Sequence, residues 1–174
     1  MISTPNLFLI GPMGSGKTAV GRELARQLKR DFVDSDAEIE RRTGVDIPFI
    51  FDKEGEAGFR RRERQVIEEL TARPGIVLAT GGGAVLADEN RRVLASRGTV
   101  IYLEASVGQQ LARTRRSQNR PLLQTPDPRA RLESLMAERE PLYRDIGDLV
   151  VRTDGRKVRQ VAAEILAHLQ GAGE

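Results

Sequence analysis

No cysteine and no tryptophan occur among the 174 residues, and histidine occurs once, at His168. Disulfides and thiolate nucleophiles are thereby excluded, and a lone histidine near the C-terminus leaves no zinc constellation. Aromatic residues make up 4% of the chain, and none sits in the arginine-rich stretch from Arg113 to Arg131. That argues against a stacking platform for single-stranded nucleic acid. No apolar run approaches the roughly 20 residues needed to span a bilayer. Met1 to Asn6 have no basic region leading into an apolar core, so no secretory signal is expected and the cytoplasm is the expected compartment. Charge of one sign is also scarce: 28 basic against 25 acidic residues leave a net +3, so placement matters more than the total. Arg113, Arg115, Arg116, Arg120, Arg129 and Arg131 face one acid, Asp127, within their span. Such a cluster suits phosphate, whether of a nucleotide or of a nucleic-acid backbone.

A chain of this length buries roughly 70% of the surface that its unfolded form exposes, enough for one domain without a metal or disulfide to hold it. Residues 1–174 are therefore expected to form a single domain. Five short β-type runs alternate with helical patterns: Leu7 to Ile10, Phe32 to Asp34, Ile76 to Thr80, Val100 to Leu103, and Leu149 to Val151. The alternation predicts an α/β fold, a five-stranded parallel sheet with helices on both faces. Helical spacing assigns Val20, Leu24 and Leu28, then Val66, Ile67 and Leu70, to the core. The same spacing assigns Leu132, Leu135 and Met136, and Val158, Val161, Ile165 and Leu169, to it. Ser106 followed by Gln109 predicts a capping box. Two stretches, about 34–64 and about 113–128, interrupt the alternation. Ligands of open α/β sheets bind beyond the carboxyl ends of the strands, so these insertions are expected to form an acceptor platform and a lid.

The run Gly11-Pro12-Met13-Gly14-Ser15-Gly16-Lys17-Thr18 follows the first β-type run and opens a helical pattern. Two glycines flanking four residues, then Lys-Thr, make a Walker A phosphate loop. Gly11, Gly14 and Gly16 allow positive φ and a close backbone approach, so that successive amides converge on a polyphosphate. Lys17 supplies a point charge for the β and γ phosphates, and Thr18 offers a hydroxyl to magnesium. The helix N-terminus adds its dipole at the same spot. An ATP site of Gly14, Ser15, Gly16, Lys17, Thr18 and Ala19 is expected, with magnesium near Thr18 and Asp34.

Asp34 and Asp36 stand two apart where the second β-type run ends, a spacing that turns both carboxylates one way on a strand. One then faces the metal and the other the acceptor hydroxyl; a helix N-cap is the alternative use of the same residues. Gly81-Gly82-Gly83 follows the third run and can bring backbone amides to a ligand. Arg60 is set apart from Arg61 and Arg64, which belong to a solvated face, because Glu63 lies three residues on and can orient it. Phe49 to Asp52 imitates a strand ending in a switch aspartate. Pro48 and the absence of an Asn-Lys-x-Asp motif argue against a GTPase, and Asp52 is expected at a surface or turn.

Together with Gly55-Glu56-Ala57-Gly58-Phe59-Arg60, Arg120-Pro121-Leu122-Leu123 and Arg139-Glu140-Pro141-Leu142-Tyr143, these motifs in this order resemble the shikimate kinase family nearly end to end. The resemblance implies a P-loop nucleoside monophosphate kinase-like three-layer fold. It implies transfer of the ATP γ-phosphoryl group to the 3-hydroxyl of shikimate, on the route to chorismate and the aromatic amino acids. Asp36 would be the base on that hydroxyl, with Asp34 toward the magnesium ion. Arg60 and Arg139 would hold the shikimate carboxylate, Gly81, Gly82 and Gly83 would lie beside the acceptor, and Lys17 and Arg120 would meet the transferring group. At the adenine end the resemblance points to the loop Arg152 to Arg156, with Arg156 against the base. ATP and shikimate are the implied partners of a monomeric chain, with no nucleic acid and no membrane. The residues by themselves leave open a kinase of another small carboxylated or polyol acceptor, and a nucleotide-dependent RNA-binding module.

Overall fold

Every residue of β1 (Asn6–Ile10) is buried, because both faces of this strand are covered. Phe8 and Ile10 enter one apolar cluster, and Leu7 and Leu9 enter another on the opposite side. β2 (Asp31–Asp34), β3 (Ile76–Ala79), β4 (Gly98–Glu104) and β5 (Leu149–Arg152) complete a sheet ordered β2-β3-β1-β4-β5. All its pairings are parallel. β4 repeats the division of β1, with Val100 and Tyr102 on one side and Ile101 and Leu103 on the other. Such doubly buried strands belong to a parallel sheet between two helical layers. The computed structural model describes residues 5–115 and 123–171.

One layer consists of α1 (Lys17–Leu28) and α7 (Val158–Gly171), which contribute Val20, Leu24, Val161 and Ile165 to the core. The other contains α2 (Ser35–Thr43), α3 (Ile47–Thr71), α4 (Asp88–Arg97) and α6 (Pro128–Ile146). α5 (Val107–Thr114) packs beside α6. The chain leaves β1 toward β2 and β3, then returns to its other side with β4. The carboxyl end of β1 is thus a topological switch point, where open α/β sheets bind ligands.

The predicted strands are present with ends shifted by one or two residues, and the three-layer arrangement is as expected. Val158 is a correction: as the first residue of α7 it is 38% exposed, ahead of the turns that reach the sheet. Asp52 is exposed but lies within α3. That helix is bent at Gly55, whose φ of 71° is non-helical, a kink tied to an identifiable residue. Half of the capping box forms. Ser106 Oγ accepts from the Gln109 amide at 3.1 Å, but the Ser106 amide donates to Asp154 and the Gln109 side chain to Thr153. Among the described residues no helix is long and apolar enough to cross a membrane.

Candidate active site

The phosphate loop joins β1 to α1 at the switch point. Gly11, Gly14 and Gly16 have φ of 147°, 80° and 92°, conformations that side chains with a Cβ rarely adopt. Gly16 is the left-handed N-cap of α1, so the helix starts at Lys17. Lys17 Nζ donates to the Gly11 and Pro12 carbonyls at 2.6 and 2.9 Å, which holds the ammonium over the loop. Arg113 from α5 donates to the Gly14 carbonyl at 3.1 Å.

Asp34 ends β2 and takes the capping use, with its other oxygen turned to the phosphate loop. Its Oδ1 accepts from the Asp36 and Ala37 amides at 2.9 and 3.1 Å and caps α2, while its Oδ2 accepts from Thr18 Oγ1 at 2.8 Å. Asp36 corrects the expected geometry. It lies in the first turn of α2, so the helix and not strand alternation sets its direction. Both carboxylates still line one cleft of about 460 Å³, with Gly14, Lys17, Thr18 and Gly82. Arg22 and Glu40 also line it, and no sequence motif marks them.

Behind the cleft lies a buried charged group. Glu63 is 1% exposed and its Oε1 accepts from Arg60 Nη1 at 2.9 Å, which bears out the pairing expected from their spacing. Arg139, from α6, is 3% exposed. Among the described residues no carboxylate forms an ion pair with it, and its Nε has no hydrogen-bond partner. Burial holds the Arg139 pKa below its ordinary value, and the Arg60 charge adds to this against Tyr143 and Glu138.

The glycine triplet makes room for these groups. A Cβ at Gly81 would lie 2.6 Å from Asp36 Oδ1, and one at Gly83 would lie 2.4 Å from Arg60 Nη2. None of the three has positive φ, so at Gly81 and Gly83 space and not backbone conformation selects glycine. The Gly81 amide is already committed to Ser35 Oγ at 3.1 Å. Of the other predicted residues, Ser15 is buried in the loop and Ala19 lines the cleft. Arg156 does not come to it: its guanidinium is held by Glu164 at 2.7 Å and by the Arg152 carbonyl at 2.9 Å. Arg120 lies outside the described residues.

Burial, foremost, and the neighbouring Asp36 charge push the Glu63 pKa from 4.5 up to about 7, against the pull of Arg60 and Arg139. Well below pH 4.5 the carboxyl is protonated in the folded and unfolded chain alike. Between 4.5 and about 7 the folded protein keeps a proton that the unfolded chain has released, so this group's stabilising contribution is lost as pH rises. Glu63→Gln cannot ionise and should escape that loss. Urea unfolding at pH 4 and pH 8 is expected to show the unsubstituted protein losing on the order of 3 kcal/mol relative to the variant. Parallel pH profiles would show that Glu63 ionises as freely folded as unfolded.

In the sequence Glu63 stands out only as a partner for Arg60, and Tyr143 only as part of a motif. Tyr143 stands four residues after Arg139 on one helix, a spacing that puts two side chains on one face and was available as a signal.

A family model described as shikimate kinase matches residues 13–170. The shikimate kinase of Halorhodospira halophila is 61% identical over 169 residues, which cover 97% of this chain and 96% of that one. That of Methylococcus capsulatus is 59% identical over 168 residues, covering 97% and 94%. Among solved structures, the shikimate kinase from Acinetobacter baumannii in complex with shikimate has a TM-score of 0.96 at 51% identity, covering 97% of this chain and 94% of that one.

Proposed function

Because the chain belongs to the shikimate kinase family, we propose that it phosphorylates the 3-hydroxyl of shikimate with ATP. The observation that carries this reading is Arg139, a buried guanidinium without an acidic partner among the described residues, beside Arg60 and the glycine loop. A buried cation is costly until a matching anion reaches it. A planar carboxylate suits two guanidiniums through charge-assisted bonds. Anchored there, a cyclic acceptor reaches past Gly82 toward Asp36 and the phosphate loop.

In the proposed reaction Asp36 takes the proton of the 3-hydroxyl as that oxygen attacks the γ-phosphorus. The bond to the β-phosphate bridging oxygen breaks, and ADP leaves with the electron pair. Lys17 and the loop amides bind the phosphates and keep the γ-phosphorus in line, since positioning and charge neutralisation supply most of the catalysis in phosphoryl transfer. Arg120 is assigned to the transferring group through the family resemblance. Thr18 Oγ1 and Asp34 Oδ2, 2.8 Å apart beside the loop, are hard oxygen donors of the kind magnesium takes along with water and phosphate oxygens. Among the described residues no group of three or more His, Cys, Asp or Glu converges on a metal position, in keeping with an ion held largely by its nucleotide. A magnesium ion bound there would supply positive charge to the β and γ phosphates. The reading includes a monomer working in the cytoplasm, where ATP is at hand.

The glycine triplet provides one prediction. A Cβ at Gly83 would press on the tip of a movable side chain, so Gly83→Ala should fold, at a cost of about 1 kcal/mol. The Arg60 guanidinium must shift, however, and the shikimate KM is expected to rise about tenfold or more with the ATP KM unchanged. A shikimate KM equal to that of the unsubstituted protein would show that Arg60 has no part in acceptor binding. The proposed function is tested by ADP release with ATP and magnesium, with and without shikimate, and by ³¹P NMR of the product. Shikimate-dependent release with phosphorus coupled to the proton at position 3 is expected. Release indifferent to shikimate would overturn the proposal and turn attention to other carboxylated acceptors.

A further inference from the structure

Arg139 and Tyr143 project from the same side of α6. The Tyr143 ring is fully buried and stacks on Tyr102 of β4, with centroids 5.0 Å apart. Its hydroxyl donates to the Gly82 carbonyl at 2.5 Å, and the Arg139 guanidinium lies beside the same loop, 3.5 Å from where a Cβ on Gly82 would stand. A phenol has one proton to give and lone pairs to receive with. Here the proton goes to the glycine loop. Burial holds the phenol pKa above its ordinary value, so the donor persists across ordinary pH.

One hydroxyl therefore ties α6, which carries Arg139, to the glycine loop. In a planar trans peptide the carbonyl and the following N–H point opposite ways. Fixing the Gly82 carbonyl against Tyr143 thus fixes the direction of the Gly83 amide as well. Crowding does not do this at Gly82, where an added Cβ would meet nothing nearer than Met13 N at 3.4 Å. Tyr102 is an internal control: it forms the other half of the stack, but its hydroxyl donates to Glu140, not to the glycine loop.

We propose that Tyr143 is a positioning residue for the acceptor, whose hydroxyl sets the Gly82–Gly83 peptide and holds the glycine loop at a fixed separation from α6 and its Arg139. This rests on the proposed function, in which both groups meet shikimate. A small displacement of such groups costs turnover as well as affinity, because the reacting hydroxyl is moved out of line.

The test compares Tyr143→Phe and Tyr102→Phe, each of which keeps the ring stack and removes one hydroxyl. For Tyr143→Phe the shikimate KM should rise about tenfold and kcat fall about tenfold, with the ATP KM within about twofold of the unsubstituted protein. Tyr102→Phe should leave all three within about twofold. A Tyr143→Phe protein with unchanged shikimate KM and kcat overturns the inference, as does a loss of ATP affinity equal to the loss of shikimate affinity.

A second measurement does not require that variant to fold. The chain has two tyrosines, so uniform 3-fluorotyrosine labelling gives two ¹⁹F signals, assigned with Tyr102→Phe. The Tyr143 signal should shift on adding shikimate and stay in place with ADP alone; a signal unmoved by saturating shikimate overturns the inference. Absence of shikimate turnover in the unsubstituted protein would instead overturn the proposed function, and this inference with it, irrespective of Tyr143→Phe.

Discussion

Asp36→Asn is expected to lower kcat by about 10² to 10⁴-fold, the usual contribution of a positioned general base, while ATP affinity stays within about twofold. The asparagine matches the carboxylate in shape, and the capping of α2 depends on Asp34 and not on Asp36, so the helix should stand. What disappears is the acceptor of the hydroxyl proton. The substitution has a second consequence that a purely structural role would not produce. The Asp36 charge is among the influences that raise the Glu63 pKa, so removing it should move the pH window of the Glu63 stability loss downward. Steady-state kinetics with an ATP-binding measurement checks the first effect, and unfolding across pH checks the second. Near-normal turnover would remove Asp36 from the chemistry.

Arg139→Met carries the other large expectation, in two opposite directions. Shikimate kcat/KM should fall about 10³-fold or more, since truncating one partner of a buried, hydrogen-bonded charge pair costs 2–5 kcal/mol or beyond. The free protein should become more stable, by about 1–2 kcal/mol, because a buried cation without a carboxylate is replaced by an apolar chain of similar length. A guanidinium kept for the fold would show the reverse, a destabilised protein with ordinary shikimate kinetics. Thermal unfolding and initial-rate kinetics on one preparation separate the two.

What the sequence made legible, and what it did not, divides along physical lines. Gly11, Gly14, Gly16 and Lys17 were readable because the phosphate loop is local: its geometry follows from a contiguous run between one strand and one helix. The core positions of α1 and β1 were readable because periodicity against a sheet is a one-dimensional pattern. Asp36 came to the expected place by an unexpected route, since the strand ends two residues before it and the first turn of α2 carries it. Gly81 was expected to offer its amide outward, yet Ser35, 46 residues away in sequence, takes that amide. Arg156 is set against the base by the family resemblance alone, and its pairing with Glu164 on α7 is a contact between separate elements that the loop does not record. The link from Tyr143 to Gly82 spans 61 residues. Each of these depends on where separate elements meet, and no local spacing records that.

In the proposed function the buried Arg139 and the half-buried Arg60 read a carboxylate so that Asp36 can serve the hydroxyl across the ring. The most direct test is the ratio of kcat/KM for shikimate to that for its methyl ester, measured in the unsubstituted protein and in Arg139→Met. A ratio of about 10² or more is expected in the former, since charge-assisted recognition is lost with the ester, and a ratio at least about tenfold smaller in the latter, where Arg60 alone remains. Equal kcat/KM for the acid and the ester in the unsubstituted protein would contradict this reading of the two arginines.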